Sequence, residues 1–420
     1  MQTLVERGCG LDAHQATVVA CLLVVLKNGT VRKNMRTFGT TTRELLSLRT
    51  WLLSEGCTHV AMESTGVYWK PVYAILEGGA LEIVVANANH VKKVPGRKTD
   101  VKDAEWIADL LCHGLLRSSF VPPKPIRELR DLTRYRRKLV ESQTAERNRL
   151  LKLLEIANIK LASVATDVFG VSGRLMLRAL IEGKATTQEM ANLAQRKLRK
   201  KIPELEPALE GKLEEHHRFL LRLQLDRLET AEKDLAVLEQ RIQEKLRPYE
   251  GQVTLLDEIP GVDWTLAAVI IAELGVDMKV FENVAQLASW TGVSPGNNES
   301  AGKRKSGRIP KGNVFLKTAL VEAATAAART KGTYLRDKFY RLKARRGYKR
   351  AIVAVAHKIL VAIYHMFSHR VCYNDLGDLY LDKLNKHHLT RNLVHRLERL
   401  GYAVKLELET AKPAGPPAEL

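Results

Sequence analysis

The chain has 420 residues and carries 67 Lys and Arg against 47 Asp and Glu, a formal net charge of +20. Its length predicts two or three domains, and an apolar fraction of 45% is enough to build a core in each. So large a positive excess favours a polyanionic partner, and it fits nucleic acid better than a membrane surface. The longest apolar run, from Val18 to Leu26, is too short to span a bilayer and predicts a buried strand.

The five cysteines are scattered along the chain, odd in number and without a CxxC pair. This usage argues against a disulfide framework and a zinc site, and it is typical of a reducing compartment. The chain does not open with a basic and apolar leader that ends in a small-residue cleavage site. We therefore expect a cytoplasmic protein with no membrane partner.

The first 124 residues alternate between strand and helix patterns. Apolar stretches predict two strands within residues 5–26, a third at 31–38 and short strands at 58–62 and 81–86, with helices at 42–53 and 67–76. A further helix opens near residue 100. The resulting order, βββαβαβα, predicts an α/β RNase H-like fold for residues 1–124.

Four carboxylates fall where such a fold brings residues together. Asp12 interrupts the first strand and Glu63 ends the fourth, so both project toward one edge of the sheet. Asp100 and Asp103 share one face of the next helix, because they lie three residues apart. Grouped carboxylates repel unless a cation lies between them, and Mg²⁺ or Mn²⁺ takes oxygen ligands. The four residues predict a two-metal site for phosphoryl transfer, with helix capping as the alternative for Asp100 and Asp103.

Three basic stretches are candidates for contact with a phosphate backbone. They contribute Lys92, Lys93, Arg97 and Lys98 before the acidic helix, Arg134, Arg136 and Arg137 from a helix at 127–152, and Lys303, Arg304, Lys305, Arg308 and Lys311 from a later loop. Charge runs are also common on solvated helix faces. Given the net charge, we predict nucleic-acid binding at all three.

The middle of the chain is predicted to be helical. Residues 125–202 form a basic helical connector, and residues 203–250 have the pattern of a coiled coil. Apolar residues recur there at steps of three, four or seven from Leu221 to Leu246, amid dense charge. Such a seam either packs within the chain or joins two protomers. Its position between two domains leads us to prefer the second interpretation.

A mainly α C-terminal domain is predicted for residues 251–370. Residues 255–267 are close to a helix-hairpin-helix, whose turn offers backbone N–H groups to a DNA phosphate. Asp263 stands where a second glycine is usual, which weakens that contact. Residues 371–420 form a C-terminal extension, and we expect its Pro-rich tail beyond residue 410 to be disordered.

A long polar, glycine-rich loop runs from Trp290 to Asn313 in this domain. Loops of this length are functional or disordered. Within it, Ser300 suits a nucleophile or a phosphate clamp, because small residues, a glycine and a lysine surround its hydroxyl. From the residues alone, a solvated serine in a mobile loop is the preferred interpretation, and Ser294 and Ser306 are rivals that spacing does not exclude.

Four segments, in this order, resemble the IS110/IS1111 family of insertion-sequence transposases. They are Glu63 to Trp69, Lys98 to Ala104, Ile259 to Gly261 and Gly292 to Gly312. The resemblance implies a RuvC-like DEDD domain at the N-terminus, a coiled coil, and a C-terminal transposase domain with a catalytic serine. By motif position, it assigns the acidic tetrad to Asp12, Glu63, Asp100 and Asp103, and the serine to Ser300.

The resemblance also implies an activity. Such enzymes are DNA recombinases that join double-stranded donor and target DNA, guided by a structured noncoding RNA, with Mg²⁺ at the acidic site and a phosphoserine intermediate. A dimer or tetramer would combine the two sites across subunits, in a prokaryotic, nucleoid-associated setting. The alternatives are an RNase H-like nuclease that uses water as its nucleophile, and a non-catalytic nucleic-acid-binding protein.

Overall fold

The computed structural model describes residues 4–26, 30–91, 103–296, 298–300 and 302–407, with the backbone alone for residues 89, 90, 298–300, 304 and 305. The chain divides into two compact units, residues 1–122 and 123–420. In the described ranges, the first unit is mixed α/β and the second is helical apart from one short hairpin. These are the fold classes predicted for the two parts of the chain.

The first unit is built on a five-stranded mixed sheet. Its strands are β1 (Arg7–Ala13), β2 (Thr17–Val25), β3 (Val31–Gly39), β4 (His59–Glu63) and β5 (Glu82–Ala86), and its helices are α1 (Thr42–Ser54), α2 (Trp69–Leu76), α3 (Ala88–Val91) and α4 (Asp103–Cys112). The strand order is β3-β2-β1-β4-β5, with an antiparallel meander of β1 to β3 and with β4 and β5 parallel to β1. This topology confirms the predicted RNase H-like fold.

Side-chain alternation divides the sheet into two buried faces. Leu11 of β1 and Met62 of β4 pack with α1 and α2 on one face. Ala61 of β4 packs with α4 on the opposite face. Because successive side chains point to opposite sides, the next residues along the two strands, Asp12 and Glu63, belong to the face that α4 covers.

A glycine lets α4 lie very close to the central strand β1. A Cβ atom on Gly10 would lie 2.1 Å from the carbonyl oxygen of Ala104 and 2.4 Å from the backbone nitrogen of Ala108. Both alanines are small and buried. The glycine and the two alanines therefore fix the approach of α4, which carries Asp103 to the end of β1 where Asp12 stands.

The cysteines of the first unit are core residues. Cys9, Cys21, Cys57 and Cys112 are buried and form no disulfide. Burial raises the pKa of the Cys21 thiol to about 11 and that of the Cys57 thiol to about 12. Thiols with such pKa values stay protonated at neutral pH and are poor nucleophiles, so these cysteines serve packing.

The second unit begins with the 33-residue helix α5 (Lys124–Ile156). It continues with α6 (Leu161–Val164), α7 (Val171–Glu182), α8 (Thr187–Asn192), α9 (Ile202–Ala208), α10 (Glu215–Leu246), α11 (Glu250–Asp257), α12 (Trp264–Leu274) and α13 (Val284–Thr291). A hairpin of β6 (Asn298–Ser300) and β7 (Lys303–Ser306) is followed by α14 (Val314–Ala327), α15 (Tyr334–Arg346), α16 (Tyr348–His369), α17 (Tyr380–Leu384) and α18 (Lys386–Arg399). Short 3₁₀ turns occur at Arg196–Lys201, Arg247–Tyr249 and Met278–Val280.

The apolar face of α10 is covered within the chain. Helix α10 runs antiparallel to α5: the Gln143 amide donates to the carbonyl oxygen of Ala231, and Lys245 pairs with Glu128. The buried residues of α10 are Leu221, Leu225, Leu228, Leu238, Ile242 and Leu246. This packing corrects the preference for a seam between protomers, because a face covered inside one chain is not available to a second.

The helices after α10 form the C-terminal core. Helix α16 is the one helix in the described part of the chain that is long and apolar enough to cross a membrane, but one face of it is buried against neighbouring helices, as in a core helix. The hairpin-like turn before α12 also packs inward, since a Cβ atom on Gly261 would lie 2.4 Å from the carbonyl oxygen of Ala323. Asp263 caps α12 by accepting a 2.8 Å hydrogen bond from the Leu266 N–H. Both turn residues thus have structural roles.

Candidate active site

Two carboxylates stand at neighbouring strand ends in the first unit. Strands β1 and β4 are adjacent and parallel, and their register pairs Leu11 with Met62. Asp12 and Glu63 each follow one residue later. Since neighbouring strands lie about 4.8 Å apart, the two side chains emerge next to each other on the face toward α4.

The start of α4 adds a third carboxylate to this place. One cavity of about 380 Å³ is lined by Asp12, Glu63, Asp103, His14, Thr65, Tyr68 and Trp106, among others. The structure therefore brings together three of the four acidic residues that the sequence singled out. The fourth, Asp100, lies outside the described residues.

Polar neighbours hold two of the carboxylates. The Nε2 atom of His14 lies 3.1 Å from Oδ2 of Asp12. The hydroxyl of Thr65 donates a hydrogen bond to Oε1 of Glu63. Each contact engages one oxygen and orients its carboxylate, which is what supporting residues do for metal ligands and catalytic acids.

The donor chemistry of the cavity fits a hard divalent cation. Three carboxylates line it, and its described lining includes no Lys or Arg. Mg²⁺ or Mn²⁺ relieves the repulsion between gathered carboxylates by taking their oxygens as ligands. Among the described residues, no group of three His, Cys, Asp or Glu is close enough to hold an ion.

The predicted serine lies on a projecting segment of the second unit, the hairpin arm, which we define as residues 292–313. Ser300 pairs with Lys303, and Gly302 just before Lys303 has a φ of +72°, so Ser300 lies next to the tip of the arm. Its rival Ser306 is half-buried and accepts a hydrogen bond from the Arg308 N–H. The other rival, Ser294, lies nearer the base.

The loop residues that are predicted to contact phosphate differ in how much of each residue the structure describes. Lys303, Arg308 and Lys311 of the hairpin arm are exposed to solvent. Arg304 and Lys305 are described by their backbone alone. The group before the acidic helix, Lys92, Lys93, Arg97 and Lys98, lies outside the described residues. For all of them, contact with nucleic acid stays a prediction.

The predicted contacts on α5 are engaged inside the second unit. They form ion pairs in which Arg134 binds Glu273 at 2.7 Å, Arg136 binds Glu239 at 2.6 Å and Arg137 binds Glu141 at 3.0 Å. The pairs of Arg134 and Arg136 were not foreseen from the sequence, because a basic run does not reveal distant acidic partners, whereas Glu141 lies one helical turn from Arg137. Phosphate binding by these three arginines stays a prediction.

Several residues with a role near these sites were missed from the sequence. Gly10 could have been recognised, since an isolated glycine within a strand often marks a close approach of another backbone. Glu273 could also have been recognised, because it is a lone acid in an apolar helix; in the structure it is fully buried. No sequence pattern indicated His14 and Thr65, because only the folded chain shows that they turn back onto the carboxylates.

Two family models match this chain. The DEDD transposase model of the IS110 type matches residues 9–159, and the model of the transposase IS116/IS110/IS902 family matches residues 253–341. Together the two matches cover more than half of the chain. They include three cavity carboxylates and the hairpin arm. No curated protein matches the chain.

An RNase H-like unit with carboxylates at its strand ends and a helical unit with a transposase match define an enzyme that acts on DNA as a transposase. The chain belongs to the IS110 family of insertion-sequence transposases. The resemblance drawn from the sequence is thus confirmed at the level of the family.

Proposed function

We propose that this transposase cuts and rejoins DNA strands with a metal-binding acidic tetrad and a serine nucleophile, guided by a structured noncoding RNA that its element encodes. The observation that carries the proposal is the cavity lined by Asp12, Glu63 and Asp103. Gathered like charges destabilise a folded chain. Their placement is better explained by ligand binding than by stability.

Asp12, Glu63, Asp100 and Asp103 are the residues that would hold Mg²⁺ or Mn²⁺. When bound, the metal stabilises the attacking and leaving oxygens of phosphoryl transfer. The chain's own contribution is orientation: His14 holds Asp12 and the packing of α4 holds Asp103 opposite the strand ends. Rigid positioning of this kind lowers the reorganisation needed at the moment of reaction.

Ser300 is the proposed nucleophile. Its hydroxyl oxygen gives up a proton and bonds to a backbone phosphorus, while the bond from that phosphorus to the leaving DNA oxygen breaks and this oxygen takes a proton. Attack by a hydroxyl of another DNA strand reverses the step and frees the serine, so no external energy source is needed. The exposed cations Lys303, Arg308 and Lys311 on the same arm suit the flanking phosphates.

The partners extend the proposal beyond one chain. A net charge of +20 suits two polyanions, the DNA and the guide RNA. A dimer or tetramer would bring the acidic cavity of one copy to the hairpin arm of another. We place the enzyme in the cytoplasm of a prokaryote, on nucleoid DNA.

The test is to isolate the protein under denaturing conditions from cells that carry the element with its flanking DNA, and to measure the DNA that stays attached. We expect adducts with the wild-type chain and none with Ser300→Ala. Ser294→Ala and Ser306→Ala are the matched controls and should keep the adduct. Equal amounts of adduct in wild type and Ser300→Ala would show that a residue other than Ser300 is the nucleophile. Mg²⁺-dependent cleavage without any adduct would favour a hydrolytic nuclease.

A further inference from the structure

The hairpin arm leaves the second unit through a narrow base. A Cβ atom on Gly312 would lie 2.4 Å from the backbone nitrogen of Gly292, and one on Gly296 would lie 1.8 Å from the carbonyl oxygen of Arg308. Only glycine permits such contact between the two sides of the arm. Whatever fixes this base therefore fixes the direction in which the arm, and Ser300 with it, projects.

A buried carboxylate lies next to this base. The side chain of Glu273, on the last turn of α12, has no exposed surface. Arg134 of α5 binds both carboxylate oxygens, with an Nε to Oε1 distance of 2.7 Å and an Nη2 to Oε2 distance of 2.8 Å. The Nε atom of Arg130 adds a longer contact of 3.4 Å to Oε2. Such a carboxylate is stable only when its oxygens are well engaged.

Asn313 connects the Glu273 carboxylate to the arm. Its Nδ2 donates to Oε2 of Glu273 at 2.7 Å. Its Oδ1 accepts the N–H groups of Phe315 and Leu316 and so caps α14. Its backbone N–H donates to the carbonyl oxygen of Trp290 at 3.2 Å, on the other side of the base. One residue thus ties both ends of the arm to the buried carboxylate.

The buried Glu273 carboxylate and its partners form the anchor of the arm, and further hydrogen bonds hold the helices of this anchor together. Arg130 donates to the carbonyl oxygens of Ala272 and Glu273 at 3.0 and 2.7 Å, which fastens α5 to the end of α12. The arm itself is a two-stranded hairpin, and a hairpin alone is only marginally stable. Apolar residues often stabilise a core as well as a buried ion pair does. The buried charge of Glu273 is therefore better explained by the geometry that it imposes on its partners than by a contribution to the stability of the fold.

We propose that Glu273, held by Arg134, is a positioning residue that fixes Asn313 and thereby the direction in which the hairpin arm presents Ser300. This inference rests on the proposed role of Ser300 as the nucleophile. Glu273 touches no reacting atom and acts through Asn313. Such positioning matters because a displacement of about 1 Å from the reactive geometry costs about a hundredfold in rate.

Two conservative changes and their combination test the inference. Asn313→Asp keeps the cap of α14, because Asp caps a helix as well as Asn does, but it sets a second carboxylate against Glu273. Glu273→Gln removes the charge that holds Arg134. The double variant restores the hydrogen bond between residues 273 and 313 with donor and acceptor exchanged and returns one negative charge to the site, while the glutamine at position 273 keeps one acceptor oxygen for Arg134. Glu239→Gln, which breaks the ion pair of Arg136 on the same helix, is the matched control.

The first measurement is trypsin cleavage of the native full-length chain after Lys303, Arg308 and Lys311. Both single variants should raise this rate about tenfold, because they release the base of the arm. The second measurement is formation of the DNA adduct that depends on Ser300. Its rate should fall about tenfold to a hundredfold in the single variants. The double variant should recover part of both losses, because it restores the hydrogen bond between residues 273 and 313, and Glu239→Gln should stay within about threefold of wild type in both measurements.

The outcomes separate the anchor from the nucleophile. Single variants that behave like wild type overturn the inference, and so does an arm that loosens while adduct formation is unchanged. A double variant that forms no more adduct than the single variants also overturns it, since Glu273 then supports only the general stability of the unit. A wild-type chain with a protected arm but no adduct contradicts the proposed function, while cleavage in the single variants still decides whether Glu273 anchors the arm.

Discussion

The acidic cavity and the hairpin arm are held in opposite ways. Asp12 and Glu63 stand at the ends of paired strands, with α4 packed directly on the sheet beside them. Ser300 stands near the tip of an arm that joins its unit through a narrow base. In the proposed roles, the carboxylates as metal ligands must converge on one point and so belong on rigid elements, whereas the serine nucleophile must reach DNA and so belongs on a projecting loop. The arm therefore needs a separate anchor, and the cavity does not.

The largest effect on stability is expected at the anchor of the arm. Arg134→Ala leaves the buried Glu273 carboxylate with Arg130 and Asn313 as partners. Loss of one partner from a buried ion pair typically costs about 3 to 5 kcal/mol, and we expect about 3 kcal/mol here because Arg130 remains. Denaturant unfolding measures the change in the free energy of unfolding.

The matched control on the same helix is Arg136→Ala. Its partner Glu239 has a side chain that is 38% exposed, and such pairs contribute about 1 kcal/mol or less. Equal losses of unfolding free energy for Arg134→Ala and Arg136→Ala would show that Glu273 is not a special anchor.

At the cavity, Asp12→Asn should abolish metal-dependent DNA cleavage with little effect on the fold. The amide keeps the size of the side chain but removes the charge that a divalent cation needs. We expect activity to fall by more than about a hundredfold, while the affinity for DNA at fixed salt changes by less than about threefold. Asp109→Asn on α4, whose carboxylate faces His113, is the control and should stay active. Normal cleavage by Asp12→Asn would show that Asp12 is not part of the active site.

A smaller loss of stability is expected from a change at the place where α4 lies close to β1. Gly10→Ala inserts a methyl group against the backbone of α4, and overpacking of this kind costs about 1 to 3 kcal/mol. In Gly79→Ala, the new methyl group meets the flexible end of Arg49 at 3.1 Å, so little change is expected. Thermal unfolding of the two variants compares them directly. If Gly10→Ala unfolds at the wild-type temperature, α4 does not lie as close to the strand as described.

The smallest effect concerns the cysteines, which also differ between the units. Cys372 is exposed, and a hydrogen bond with Glu258, together with the charge of that carboxylate, raises the pKa of its thiol. The thiolate is the reactive form and grows as pH rises. Glu258→Gln should therefore speed alkylation of Cys372 at pH 8 by about twofold to threefold. Mass spectrometry of the native protein also checks that the buried cysteines stay unmodified; alkylation of Cys21 before unfolding would contradict its burial.

The strands and the leucine pattern show how far sequence reasoning reaches. Period-two apolar patterns and turn residues are local, so they predicted β1 to β5 and the carboxylates at the ends of β1 and β4. The leucines of α10 revealed an apolar face but not its partner, because the covering helix α5 lies far away in the chain. Asp263 is a similar case: its role as a cap of α12 depends on where the helix begins.

The sequence by itself determined the order of strands and helices along the first unit and the acidic residues at the strand ends, because hydrophobic period and residue chemistry are properties of short segments. It also indicated the family, through the resemblance of four short segments. Only the tertiary structure decided that α5 covers α10, that Gly10 admits α4 and that Glu273 lies next to the base of the hairpin arm. Each of these is a contact between segments far apart in the chain, and no local pattern encodes which distant surface a residue will meet.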